Sequence, residues 1–62
     1  MKPGDIVRCT NTFEYRVNFV GEEIVGLTYV HWSDAALDYV PNEYCTYYDT
    51  PIKYVQEIVR EA

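Results

Sequence analysis

Between residues 13 and 20 the chain alternates. Phe13, Tyr15, Val17 and Phe19 occupy every second position, with Glu14, Arg16 and Asn18 between them. A period of two predicts a half-buried strand with one wet face. Gly21, Glu22 and Glu23 break the run, and a second apolar stretch covers residues 24–32. With those three residues as the loop, Phe19 faces Val25, Val17 faces Leu27, and Tyr15 faces Tyr29. A two-residue loop would set Ile24, Gly26 and Thr28 against the apolar face and bury less, so the first register is preferred. A bulge near Gly21 or Gly26 would alter the pairing.

Upstream, residues 2–5 read as a turn, because Pro3 fixes φ and Gly4 permits a positive φ. A short β-rich run follows. After His31 the alternation stops. Residues 33–37 predict a short helical turn, capped by Ser33 or Asp34 and carried by Ala35, Ala36 and Leu37. Pro41 prevents it from running on. Residues 44–49 read as a strand, and Thr50 and Pro51 break it. The end of the chain fits two patterns. Ile52, Val55, Ile58, Val59 and Ala62 make a helix face, with Thr50 as cap and Pro51 at the first position. Ile52, Tyr54 and Ile58 equally suit a final strand. The β-rich context favours a strand with a short helical end.

The pattern therefore predicts one small domain over residues 1–62. It is mainly β: a small barrel or a strongly bent antiparallel sheet of four or five strands. The expected core is Ile6, Tyr15, Val17, Phe19, Val25, Leu27, Cys45 and Ile58, with Val7 and Val55 beside it. The opening "KPGDIV", followed by the long hairpin "EYRVNFVGEEIVGLTYV", resembles the start of SH3-like small barrels of the KOW and Tudor type. The resemblance covers roughly residues 3–30 and implies a fold only, since one fold hosts many functions. Residues 32–49 depart from it, being longer and more aromatic than the resemblance implies between the later strands.

At 62 residues the chain is a single domain at most. A lone core of this size is marginal, but ten aromatic residues give it large buried area per side chain. Five Lys and Arg stand against ten Asp and Glu, a net charge of −5. Such a chain repels phosphate, which disfavours nucleic acid. The charge keeps a small protein soluble and suits a basic partner. No apolar run is long enough to cross a bilayer, and the start lacks the apolar region of a signal peptide. The chain thus reads as a complete, short cytoplasmic protein, in the host cytoplasm if viral.

Candidate chemistry is sparse. Cys9 and Cys45 lie 36 positions apart, without metal-type spacing, and read as small buried hydrophobes. A bridge between them requires a fold that brings them together. The single His31 sits at a strand end with no nucleophile spaced to meet it. No glycine-rich phosphate loop and no ligand spacing for a metal is present in the sequence. Neither catalytic residues, cofactor nor metal is expected, and the chain reads as no enzyme.

What stands out is "NEYCTYYD", residues 42–49, with Trp32 and Tyr39 upstream. On a regular strand Tyr47 and Tyr48 point to opposite faces. Cys45 is the better core residue, which places Tyr47 inward, and Tyr44, Thr46 and Tyr48 outward. The candidate partner-binding residues are Trp32, Asp34, Asp38, Tyr39, Glu43, Tyr44, Tyr48 and Asp49. Tyrosine and tryptophan bring large contact area with few rotors, and the carboxylates favour a basic protein partner. The function read from this is a non-enzymatic protein-binding module, such as a small microbial or viral accessory or inhibitor protein. A homo-oligomeric structural protein is the alternative, since small sheets pair their edges. Two further readings are a Tudor-like cation or methyl-lysine reader, caged by Trp32, Tyr39 and Tyr48, and a nucleic-acid-associated small barrel.

Overall fold

The computed structural model describes residues 1–43 and 46–62. The chain is mainly β. Among the described residues there are six strands: β1 (Ile6–Cys9), β2 (Glu14–Val20), β3 (Ile24–Ser33), β4 (Asp38–Pro41), β5 (Tyr47–Pro51) and β6 (Val55–Arg60). All pair antiparallel in one sheet of order β4-β3-β2-β1-β6, with β5 on β3 outside that path. A single 3-10 turn, Ile52–Tyr54, joins β5 to β6.

The β2–β3 hairpin turns through Gly21, Glu22 and Glu23, as the alternation predicts. Tyr15 faces Tyr29 and Val17 faces Leu27. Phe19 does not face Val25. A bulge between Val17 and Phe19 shifts the register, so Phe19 meets Gly26 and Val20 meets Val25. One extra residue sends every later side chain to the other face. Phe19 therefore leaves the core and is 39% exposed. Its ring lies over Gly26, where an added Cβ would stand 2.3 Å from Phe19 Cε1 and 2.6 Å from Tyr47 Oη. Gly26→Ala is expected to push both rings off this site, at about 1–3 kcal/mol. Adding Phe19→Ala should recover part of the loss, which urea unfolding of the single and double variants reads out.

The main core lies on the face that carries Val7, Cys9, Tyr15, Val17, Val25 and Leu27, with Tyr29, Ile52 and Val55 packed against it. Ile6 and Val30 are buried as well, apart from that cluster. Ile58 is a second correction. It faces Val7 but is 39% exposed, because β6 is the end strand of the path among the described residues. Cys45 falls outside the described residues, and so does any approach of Cys9 to it. Residues 34–37 form a hairpin turn between β3 and β4, not a helix. The expected cap survives in miniature, since Ala36 N donates to Ser33 Oγ at 3.2 Å. At the end of the chain the helical element precedes the strand: the 3-10 turn comes first and β6 follows. The pairing of β6 with β1 consumes the donors and acceptors that a terminal helix would have used.

β3 carries two strands end to end along one edge. Its first half pairs with β5 and its second half with β4. Tyr29 stands at the junction, its N–H donating to Thr46 O at 3.2 Å and its carbonyl accepting from Asn42 N at 3.1 Å. The sheet also curls on itself. Arg16 of β2 donates to the Tyr39 carbonyl, and Arg60 of β6 donates to Asp38 Oδ1 at 2.7 Å. The Arg60 bond brings β6 and β4, the two ends of the path, within one side chain of each other. Sheets coil because each strand is twisted, and here two arginines fasten the coil.

Candidate functional site

Two aromatic surfaces emerge, one at each side of β3. The first is the β3–β4 hairpin. Trp32 and Tyr39 are directly opposed, and their rings meet edge to face with centroids 5.3 Å apart. Trp32 Nε1 donates to Asp34 Oδ1 at 2.8 Å, which fixes the indole against the turn. The Tyr39 ring lies beneath the Arg60 guanidinium at 5.1 Å. Asp38 completes the group, its carboxyl held below the ordinary range, first by the Arg60 hydrogen bond and then by the Tyr39 N–H. Trp32 remains 46% exposed and Leu37, at the tip, 74%. Leu37 also has a φ of 52°, a left-handed conformation that favours glycine or asparagine.

The second surface lies on the core face, at the end where the β1–β2 loop meets β5. Phe13, Tyr15, Tyr29, Tyr48 and Tyr54 wall an open cleft of about 390 Å³. Phe13 stacks on Tyr29 at 5.3 Å, Tyr15 leans on Tyr29 at 5.5 Å, and Tyr48 meets Tyr15 edge-on at 6.0 Å. The loop explains how Phe13 reaches the rim. Thr12 takes a φ of 72°, and Asn11 Oδ1 accepts from Phe13 N at 3.0 Å. Cys9 lies on the floor, and burial pushes its thiol above the ordinary value. It is therefore a protonated, weakly nucleophilic group at neutral pH.

The sequence-predicted residues thus separate. Trp32, Asp34, Asp38 and Tyr39 come together at the hairpin. Tyr48 does not join them. It pairs with Leu27, on the core face, and the outward assignment of Tyr48 is overturned together with the inward one of Tyr47. Tyr47 sits opposite Thr28, with its hydroxyl near Gly26. Its phenol is raised by partial desolvation first, and by Asp49 on the same face second. The alternation of faces was read correctly but its phase was not, because it was anchored on Cys45. The three-ring cage of Trp32, Tyr39 and Tyr48 consequently does not assemble. Glu43 is exposed, and Tyr44 lies outside the described residues. Phe13, Tyr15, Tyr29 and Tyr54 were missed as a site. The shared face of Phe13 and Tyr15 and the Tyr15–Tyr29 pair were legible, but they do not distinguish a packed core from an open one.

The charges are asymmetric in use. Lys2 pairs with Asp5, and Arg8 with Glu14 and Glu57. Arg16 and Arg60 are bound to β4, and Lys53 lies over the Tyr54 ring at 5.5 Å. All five cationic side chains are engaged within the molecule, while Glu22, Glu23 and Glu43 stand exposed. His31 is at the surface, its Nδ1 hydrogen-bonded to Asn42 Oδ1 at 2.6 Å. Among the described residues, no group of three or more His, Cys, Asp and Glu is placed to hold a metal ion. Among them, too, no helix is long and apolar enough to cross a membrane.

Fold and site together define a small all-β module with two aromatic surfaces and an acidic exterior. Comparison with protein-family models, with curated proteins and with solved structures found no match for this chain.

Proposed function

We propose that this chain is a non-enzymatic protein-binding module that docks through the β3–β4 hairpin. The observation that carries this reading is Leu37 with Trp32. A leucine stands at a hairpin tip in a backbone conformation that disfavours it, with most of its surface in water. Strain of this kind points toward function when packing does not explain it. Beside it lies a half-exposed indole whose orientation is already fixed by Asp34. A rigid aromatic ridge loses little entropy on binding.

The partner has an apolar recess with a basic rim, because Asp34 flanks the ridge and the chain as a whole carries a net charge of −5. Engagement of all the cationic side chains weighs against a nucleic-acid partner. An SH3-like barrel is the finer reading of the fold, supported by the curl that brings β6 to β4. A cytoplasmic accessory or inhibitor protein of microbial or viral origin is the setting we favour, since a short, rigid, acidic module acts by occupying another protein's surface.

The test is affinity capture from nuclease-treated lysate, with Trp32→Ala/Leu37→Ala beside the unmutated chain. Neither side chain is buried, so the variant should fold. A specific protein whose binding falls by about 2 kcal/mol or more, roughly 30-fold, is the expected result. Undiminished capture by the folded variant would remove the hairpin from the interface. If the chain instead captures only itself and elutes as an oligomer, the homo-oligomeric reading takes its place.

A further inference from the structure

The cleft beneath Phe13 and Tyr48 is independent of the hairpin, and the geometry points to a second site: we propose that it binds an uncharged, planar aromatic ring. Its walls are rings set at useful angles. Phe13 and Tyr29 are within 20° of parallel, while Tyr48 stands 89° to Tyr15. A flat ligand entering there meets one ring face and one ring edge, the two arrangements aromatic groups prefer. At about 390 Å³ the cleft falls in the range of small-molecule sites and would hold one or two fused rings.

Charge decides between ligand classes. Among the described residues that line the cleft, none is charged. An anion would find no counter-charge and would approach a molecule of net charge −5. A cation would find ring faces but no lining carboxylate, and one of the wall rings, Tyr54, already has Lys53 over its face. A neutral ring needs none of these. The polar atoms present are those that orient such a ring: the hydroxyls of Thr10, Thr50 and Tyr15, the last already accepting from Asn11 Nδ2 at 2.9 Å. Cys9 and Tyr15 form an already buried floor, and the exposed rings of Phe13, Tyr48 and Tyr54 above it carry the apolar surface that gains from being covered.

The cleft is accessible without unfolding. Phe13 and Tyr48 are exposed at its rim, and Tyr15 is buried below them. The site resembles a core left open at one end. β5 is paired to β3 along its whole length, from Tyr47 opposite Thr28 to Pro51 opposite Ile24, and the 3-10 turn then carries the chain to β6, which pairs with β1. Thr10 N donates to the Tyr54 carbonyl at 2.9 Å, so the far wall is tied to the β1–β2 loop rather than closed over the rings.

The experiment is a two-dimensional NMR titration of the folded chain with indole, and separately with benzyltrimethylammonium and with adenosine monophosphate. Indole is expected to shift the ring resonances of Phe13, Tyr29 and Tyr48 with a Kd on the order of 1 mM or tighter. The Trp32 indole N–H should not move. Phe13→Ala, which removes a half-exposed ring, should weaken indole at least tenfold. Tyr48→Ala should do the same, and Trp32→Ala/Leu37→Ala should have no effect. That last variant separates this site from the hairpin, so either proposal can fail alone. The inference is overturned if indole causes no shifts at 10 mM, about ten times that Kd, or if its shifts centre on Trp32. It is also overturned if the ammonium ion or the nucleotide binds more tightly than indole, or if folded Phe13→Ala binds indole unchanged.

Discussion

Leu27→Ala is expected to cost about 3 kcal/mol and to leave much of the population unfolded at 25 °C. Leu27 is 1% exposed, lies in the middle of β3, and faces Val17 on one side and Tyr48 on the other. Truncating a buried leucine removes its transfer free energy and leaves a cavity that its neighbours only partly fill; such changes cost about 2–5 kcal/mol. A single core in a chain this short rarely supplies more than about 3–5 kcal/mol in total. The substitution therefore consumes most of the margin. Leu37→Ala is the control, since an exposed side chain away from packing changes stability by about 0.5 kcal/mol or less. Urea unfolding followed by circular dichroism measures both. A midpoint for Leu27→Ala within error of the unmutated chain would show that the β2–β3–β5 layer is not the core.

Asp5 should make the fold acid-labile. Its carboxylate is 1% exposed and accepts from three donors: Ala62 N at 2.8 Å, Lys2 N at 2.9 Å and Lys2 Nζ at 3.2 Å. The Ala62 hydrogen bond does most to hold its pKa below the ordinary 3.8, and the Lys2 bonds add to it against the opposing effect of burial. A carboxylate whose pKa is lower in the folded state stabilises that state above the unfolded value. The contribution is lost as pH falls through the folded value. Stability should hold near neutrality and begin to fall as pH drops below 3.8. Asp38, also lowered, acts in the same direction but at the surface, where screening reduces its effect. Asp5→Asn should lower the urea midpoint at pH 7 and flatten its dependence on pH between 6 and 2.5, in which range the unmutated chain should lose stability. An equal acid dependence in both proteins would assign the lability to other carboxylates.

The sequence was legible where period and breaks agreed. The alternation from Phe13 to Phe19 and the Gly21 break gave the hairpin and two of its three pairs, because a register has only two phases. It failed at Asn18, where the bulge depends on the partner strand rather than on local composition. Val30 was not expected in the core, because its position has the opposite parity to Val25 and Leu27 and lies outside their cluster. Asp5 could be read as a turn residue but not as a buried one, since its partner Ala62 is 57 positions away. The candidate site shows the same division. Trp32 and Tyr39 are close in sequence, and a hairpin brought them together. Tyr48 went elsewhere because β4 and β5 meet the same edge of β3 at different points. The alternation joins Phe13 to Tyr15, but Tyr48 and Tyr54 come from β5 and the 3-10 turn, and no spacing could have joined them to that pair.

The end-to-end arrangement on β3 has a consequence for the order in which the molecule forms. The β2–β3 and β3–β4 hairpins close loops of three and four residues, steps that take microseconds. Pairing of β1 with β6 joins Ile6 to Arg60, so nearly the whole chain must be looped before that contact gains anything. A nucleus of three local strands around β3 would therefore precede closure by the C-terminal strand, and the aromatic ridge would be built while the far edge of the sheet is still unpaired.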